Sequence, residues 1–591
     1  SRHHKPSSVY DWLVTEADWI SSGMDRKQYE EVSKSSPVPD HYIRERLSPV
    51  FEEVCLDKHR FDGFQYRYPL KAFTPEAMFP VKAGDARPKD QAASEYLALW
   101  ENFDQAFGNL QRFSRFSHYL EAAIALLEEH FWAVPSATYS AGKKAWSDIS
   151  LFDHLVTTAA LAHVLLRYHE DTASLEEAAI RDREREKFLF INIDSSGIQK
   201  FIFDITLDAA RGASRMLRAR SFYINLLMEG VFRLICSELK LYSVNRLVDA
   251  GGRALILAPN LQNAPRTLKT LQDRIDVFCL AQFHGELTVN LSWLPARGRD
   301  LEIGRFDRFL GELNLESQKA KLRKLSGLIG KRESHLCEDF WNEYQPERGL
   351  CPVCGKRQAA ITIQEQSDRY RCPACDRLAR LGTQIASGKF LVFASGLEAP
   401  KTDYPVPGGY FDLLQDIPDE SIWDHIWDIS HGKTSSFAKK AVANYIPLFH
   451  EGDPTNVLLT DPRHSPGDLC QDAIDGIARR APKTFHHIAL SSLRQKADGG
   501  DYQGKPYLAV FKADVDNLGL LFAYGLHGND DQGNRFTIGR YATFSRMMDR
   551  FFTAYLPQLF AGHAEYADTY TVFAGGDDLF LIGPWTQTFM L

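Results

Sequence analysis

No stretch of the sequence approaches the ~18 apolar residues that a membrane-spanning helix needs, so no transmembrane segment is read in it. The opening "SRHHKPSS" does not have the make-up of a signal peptide, and a cytosolic protein is expected. An excess of positive charge is also missing: 69 Lys and Arg stand against 77 Asp and Glu, a formal net charge of −8. That excludes a surface that grips nucleic acid all over, while leaving room for local basic patches. Cysteine is scarce, nine in 591 residues, which fits the cytosol. Cys55, Cys236, Cys279, Cys337 and Cys470 are scattered, mostly in apolar surroundings where a buried thiol is ordinary. The other four form two close pairs. What is plentiful is apolar residue, 44% of the chain, enough to fill several cores, and the length suggests about four domains.

Residues 1–180 read as a helical domain, with "SEYLALWENFDQAFGNL" and "SLFDHLVTTAALAHVLLRYHED" carrying apolar residues at helical spacing. After the charged run "RDREREK" the order of elements becomes strand ("FLFINID"), Gly197, long helix, then strand, glycine turn and strand in "RLVDAGGRALILAPN". The end of the chain repeats that order in "YLAVFKADVDNLG", "RYATFSRMMDRFFTAYL" and "TYTVFAGGDDLFLIGP". Gly197 and Gly251 are 54 residues apart, Gly519 and Gly575 are 56 apart, and Asp194 and Asp516 each precede the leading glycine by three residues. Such halves, with helices on one face of an antiparallel-rich sheet, predict two ferredoxin-like or palm domains facing each other across a cleft, at 185–304 and 505–591. The fold class is therefore α+β and multidomain. Residues 305–500 are expected to form a linker and helical domain between the palms.

The copies differ at the turn, "AGGRAL" in the first and "AGGDDL" in the second. Both keep the glycines that let backbone approach a ligand, Gly251 and Gly252, Gly575 and Gly576. Only the second carries carboxylates. Asp514 at a strand end, with Asp577 and Asp578 on the hairpin beside it, makes a set of hard oxygen ligands for Mg²⁺ or Mn²⁺, as phosphoryl or nucleotidyl transfer requires. Adjacent strand residues point to opposite faces, so both turn aspartates reach one metal only if the turn reorients one of them. Asp516 is a weaker candidate, because with Asn517 it also suits a helix N-cap.

"CPVCGKRQAAITIQEQSDRYRCPACDR" places Cys351 and Cys354, then Cys372 and Cys375, as two C-x₂-C pairs with 17 residues between them. This zinc-ribbon spacing, at 351–375, brings four thiolates to tetrahedral Zn²⁺; four sulfurs close the shell and make the site structural.

Taken together, "GGDD", "KADVDNLG", "IDSSGIQKFIF", "LRARSFYINLL" and "LFDHLVTTAALA" resemble the large subunit of type III CRISPR interference complexes, the Csm/Cmr large subunit, most closely the Csm type. The resemblance spans roughly residues 1–585. It implies an RNA-guided enzyme that converts ATP into cyclic oligoadenylates, with ATP in the cleft between the palms and metals on Asp577 and Asp578. Asp194, Ser196, Gly197 and Gln199 of the first palm would lie near the acceptor nucleotide, although Asp194 and Ser196 equally suit helix caps. Implied partners are the guide (crRNA) and target RNA, the small subunit, the crRNA-tag-binding subunit and the backbone subunits, with no membrane. The N-terminal "HHKPSSVYDWLVTEADWISSGMDR" resembles part of the family's HD nuclease domain, with Asp18 as a late metal ligand and His3 or His4 before it. The paired His-Asp ligands are missing, so this chain is expected not to cleave single-stranded DNA, and the second palm is expected to be C-terminally incomplete. His154 and His163 read as packing or surface residues. "ARGASRMLRARS" and "KAKLRKLSGLIGKR" could hold RNA phosphates but equally suit packed or solvated helices. Two other readings are open: a cyclic dinucleotide cyclase, from which Asp578 differs because those enzymes carry glutamate there, and a silent scaffold of the complex.

Overall fold

The computed structural model describes residues 6–23, 45–54, 63–84, 89–136, 147–205, 212–329, 345–363, 366–396, 404–430, 432, 435–442, 445–465, 467–496, 501–516, 518, 521, 525, 536–576 and 578–591. Its first part is helical: α1 (Val9–Ser21), α2 (Lys89–Gly108), α3 (Phe116–Phe131) and α4 (Leu151–Asp171). Ser8 and Asp11 form a reciprocal capping box at the start of α1, and Ser150 caps α4. Leu13, Ala17 and Ile20 of α1 then pack with Ala160, Leu161 and Val164 of α4.

The next unit runs β1 (Phe188–Ser196), α5 (Ile198–Phe203), α6 (Ala213–Leu239), β2 (Arg246–Ala250), β3 (Arg253–Pro259), α7 (Ala264–Phe283) and β4 (Thr288–Ala296). Its sheet has the order β2-β3-β1-β4 with every pair antiparallel, a ferredoxin-like palm. β1 is buried along nearly its whole length because its alternate residues meet two layers. Leu189, Ile191 and Ile193 share a core with residues of α6 and α7. Phe188 and Phe190 face the other way, onto α8 (Phe306–Leu322), where the Phe190 and Phe309 rings lie 4.9 Å apart. Helices on one face only were expected; α8 makes this a sheet covered on both faces.

Residues 305–500 also depart from the helical expectation. Beside α8, α9 (Pro373–Gln384) and the helices Asp468–Arg479 and Phe485–Leu490, they hold a five-stranded sheet built from Phe390–Ser395, Tyr404–Val406, Gly409–Leu414, His425–Asp428 and Ala438–Lys439. Gly409–Leu414 alternates buried and half-buried side chains, the strand period.

The last unit comprises β5 (Leu508–Asp514), α10 (Ile538–Arg550), α11 (Leu556–Gly562), β6 (Tyr570–Gly575) and β7 (Asp578–Pro584), with sheet order β5-β7-β6. It repeats the first three strands of the earlier palm register for register. Phe188 pairs with Pro259 and Asp194 with Arg253 in the first; Leu508 pairs with Pro584 and Asp514 with Asp578 in the second. Even the irregularity recurs, between Arg246 and Val248 in one hairpin and Thr571 and Phe573 in the other. Because Ala250 pairs with Arg253 and Gly575 with Asp578, Gly251 corresponds to Gly576. The letter match of "AGGRAL" to "AGGDDL" is thus one residue out of step, and Arg253 stands where the second palm has Asp578.

Ion pairs fix α10 to the N-terminal helices: Arg546 Nε lies 2.8 Å from Asp153, Arg550 holds Glu128 at 2.6 Å through two nitrogens, and Arg540 pairs with Asp148. Among the described residues no helix is long and apolar enough to cross a membrane.

Candidate functional site

The two glycine turns abut. Gly251 and Gly576 both have left-handed backbones, φ +61° and +68°. A Cβ on Gly251 would lie 2.6 Å from the carbonyl carbon of Gly575, and one on Gly576 would lie 3.2 Å from the oxygen of Ala250. The contact is reciprocal in its supports as well: α6 of the first palm packs on β6 of the second, and α10 of the second packs on β2 of the first. Tyr570 of β6 donates its hydroxyl to the Ser214 carbonyl at 2.8 Å.

Asp514 and Asp578 are direct cross-strand partners, so their side chains leave the same face of the sheet, with Cα atoms ~5 Å apart. Phe511 and Ala513 point to the opposite face and pack with Phe560 and Leu581, which is what leaves the Asp514 face outward. Along β5 that face is exposed, with Val510 58% accessible. From the first palm, Gln199 Nε2 donates to Asp578 Oδ2 at 3.0 Å, and the tilted rings of Phe203 and Phe580 meet at 4.5 Å. Asp516 is exposed just past the strand end. Asp577, Asn517 and Gly519 lie outside the described residues.

The first palm's equivalent positions are occupied differently. Asp194 is buried under α8, where its Oδ2 accepts from Ser317 Oγ at 3.2 Å and meets Lys321 Nζ at 2.8 Å. Arg253 donates through Nε to Asn192 Oδ1 at 3.1 Å and also to Asn314. An acid already neutralised by an ammonium, opposite a guanidinium, is a poor cation site. Ser196 ends β1 opposite Thr288, and Gly197, at φ +92°, begins α5. The structure therefore brings Gln199, Gly251, Gly575, Gly576, Asp514 and Asp578 together and sets Asp194 apart, under a helix.

The four cysteines converge: their sulfurs are buried and all lie within 4.8 Å of one another, with Cys354 and Cys372 3.9 Å apart. Zn–S bonds of ~2.3 Å at tetrahedral angles put sulfurs ~3.8 Å apart, so this donor set fits zinc. The first knuckle closes through Gly355 N–H to the Cys351 carbonyl at 2.7 Å, and the second opens α9 with Cys372 at its N-cap.

Asp18 has a partner that sequence reasoning missed: its Oδ1 lies 2.8 Å from His154 Nε2, whose Nδ1 is 3.0 Å from Ser21 Oγ. The two residues are 136 apart in sequence, and no local pattern links them. His163 does pack, 3.1 Å from Asn245, and burial lowers its pKa. His3 and His4 lie outside the described residues. Of the basic stretches, Arg218 and Arg220 are buried; Arg220 Nη1 donates to the carbonyls of Phe201 and Asp204 at 2.8 Å.

Family models match two parts of the chain: the Csm1 subunit domain B over residues 187–337, and the Cas10/Cmr2 second palm domain over residues 507–591. A duplicated palm with one acid-bearing hairpin thus defines a double-palm protein, similar in these two parts to the Cas10 family. The chain is 26% identical over 610 residues to the Thermococcus onnurineus CRISPR system single-strand-specific deoxyribonuclease Cas10/Csm1 (subtype III-A), covering 98% of this chain and 65% of that one. A relative of the same description from Streptococcus thermophilus is 27% identical, covering 96% of this chain and 67% of its own. These matches, with the two domain models, support a type III large subunit of the Cas10/Csm1 kind. It spans about 65% of the length of the Thermococcus relative. Among solved structures, a Csm1-Csm4 cassette in complex with one ATP aligns at TM-score 0.65 and 23% identity, covering 98% of this chain and 64% of that chain. The cassette in complex with cA4 aligns at TM-score 0.63 and 22% identity, with the same coverage. At that identity they establish the fold.

Proposed function

We propose that this chain converts ATP into cyclic oligoadenylates by metal-dependent nucleotidyl transfer, as the large subunit of a cytoplasmic RNA-guided complex. The observation that carries the reading is the cross-strand pair of Asp514 and Asp578, on an exposed face and touched by the first palm through Gln199. Asp514 and Asp578, with Asp577 beside them, would hold Mg²⁺ or Mn²⁺, which when bound neutralises phosphate charge and lowers the pKa of an attacking hydroxyl. Gly251, Gly575 and Gly576 present backbone without side chains where a triphosphate would approach. Asp194 serves the architecture of the first palm, while Ser196, Gly197 and Gly252 shape its rim.

The solved relatives bound to ATP, cA3 and cA4 support an adenylate product over a cyclic dinucleotide. Their description as Csm1-Csm4 cassettes supports assembly with a crRNA-tag-binding subunit and, through it, with the guide, the small subunit and the backbone. The four cysteines would hold one structural zinc. Single-strand DNA cleavage is not part of this reading, in which Asp18 bonds to His154.

The test is incubation of the assembled complex with labelled ATP, Mn²⁺ and cognate target RNA. Asp577→Ala with Asp578→Ala should abolish oligoadenylates while assembly persists, since Asp578 is partly exposed at the start of its strand. Wild-type product levels from that variant would refute the assignment.

A further inference from the structure

Gln199, the first-palm side chain that reaches Asp578, sits on α5, a helix of six residues with little hold of its own. Both ends of that helix are tied down from one place. At its start Gly197 packs against the loop after α7 so closely that a Cβ there would lie 1.9 Å from the Glu286 carbonyl oxygen. At its end Asp204 is the capping residue. Lys356, two residues past Cys354 in the first cysteine knuckle, donates Nζ to Asp204 Oδ2 and to Glu286 Oε1, each at 2.5 Å. One ammonium therefore links the carboxylate at the end of α5 to Glu286 of the loop packed against its start. Arg357 beside it bonds to the Gln282 carbonyl, and Arg377 of α9 donates to Gln282 Oε1 at 2.8 Å, so the knuckle is seated on the first palm.

We infer that Lys356 is a positioning residue: it clamps α5 between the cysteine module and the α7–β4 loop, so that Gln199 orients the Asp578 carboxylate toward the cation. A partner that fixes a ligating carboxylate commonly changes metal affinity by ~10–100-fold when removed. An isolated ion pair this exposed adds little stability, so its bearing on function is geometric. The clamp explains why the cysteine module is built against the palm that lacks the acids. Through Gln199 it acts on the palm that has them. The inference rests on the assignment of Asp578 as a metal ligand.

The experiment uses the full chain and Mn²⁺ alone, measuring Mn²⁺ affinity by the electron paramagnetic resonance of the free ion and amide exchange at residues 199–204. Lys356→Ala should weaken Mn²⁺ binding about tenfold and speed exchange about tenfold, with zinc content unchanged. Lys356→Arg should restore both. Gln199→Ala should weaken Mn²⁺ to a similar extent, and the double variant no further, because the two residues act through one contact. Wild-type exchange and affinity in Lys356→Ala, or additive losses in the double variant, would overturn the inference. If Asp578→Asn leaves Mn²⁺ affinity unchanged, the metal assignment fails by itself, and exchange at residues 199–204 still decides whether Lys356 clamps α5.

Discussion

In the first palm α8 lies along Phe190, Asn192 and Asp194, whereas the matching face of β5 in the second palm stays exposed from Leu508 to Asp514. Order, register and bulge are shared by the three strands common to the described parts of both palms, so the difference does not lie in the backbone of those strands. It lies in the covering helix α8 and in the residue set opposite the acid. Where the second palm sets Asp514 against Asp578, the first sets Asp194 against Arg253 and lays Lys321 on the acid. A duplicated fold can thus keep one copy as an electrostatically neutralised wall and leave the other as an open pair of carboxylates. Closing the first face also lets β1 bury both sides.

The cysteine module sharpens the contrast, because it docks on the first palm and helps to hold its core: Cys351, Cys354, Cys372 and Cys375 belong to the same apolar cluster as α6 and α7. Cys372→Ser should therefore release zinc and lower the melting temperature of the chain by ~5–10 °C, read by calorimetry with metal analysis. An equally stable variant without zinc would show that the first palm stands without the module.

A smaller effect is expected where the palms meet. Asp549 of α10 is packed beside Asp249 and Glu128; burial pushes its carboxyl up to about 6, against the pull of Arg550. A folded-state pKa above the ordinary value means that the folded chain holds the proton more tightly. Its contribution is therefore favourable at acid pH and is lost as the pH rises through about 6. Asp549→Asn should stabilise the protein by ~1 kcal/mol at pH 7.5 and leave it nearly unchanged at about pH 3.5, below the ordinary carboxylate value, measured by thermal melts at both values. Equal shifts at the two pH values would remove Asp549 from the account of the interface.

Much of the fold was legible in the sequence. "FLFINID" and "YLAVFKAD" read as the leading strands because continuous apolar residues end in an acid, and both hairpins announced themselves by glycine between apolar runs. The cysteine spacing predicted convergence, which the sulfurs show. The hairpin register was misread because shared letters are not shared pairing; the loop is counted from the last cross-strand pair, and that count moves Arg253 opposite Asp194. The fate of Asp194 was hidden because its partners come from α8, 123 residues away for Ser317, and a lysine in a basic stretch gives no sign of which acid it will meet. Gln199 was read as a residue near the nucleotide. Its bond to Asp578 spans 379 residues and depends on how the palms dock, which no local periodicity encodes.

The asymmetry of the palms is tested most directly by diffraction from crystals soaked in Mn²⁺, using its anomalous signal. Density for the ion is expected between Asp514 and Asp578 in the wild type, absent from Asp514→Asn, and absent in both from the neighbourhood of Asp194. A manganese peak beside Asp194 and Lys321, or an empty Asp514–Asp578 pair in the wild type, would contradict the account.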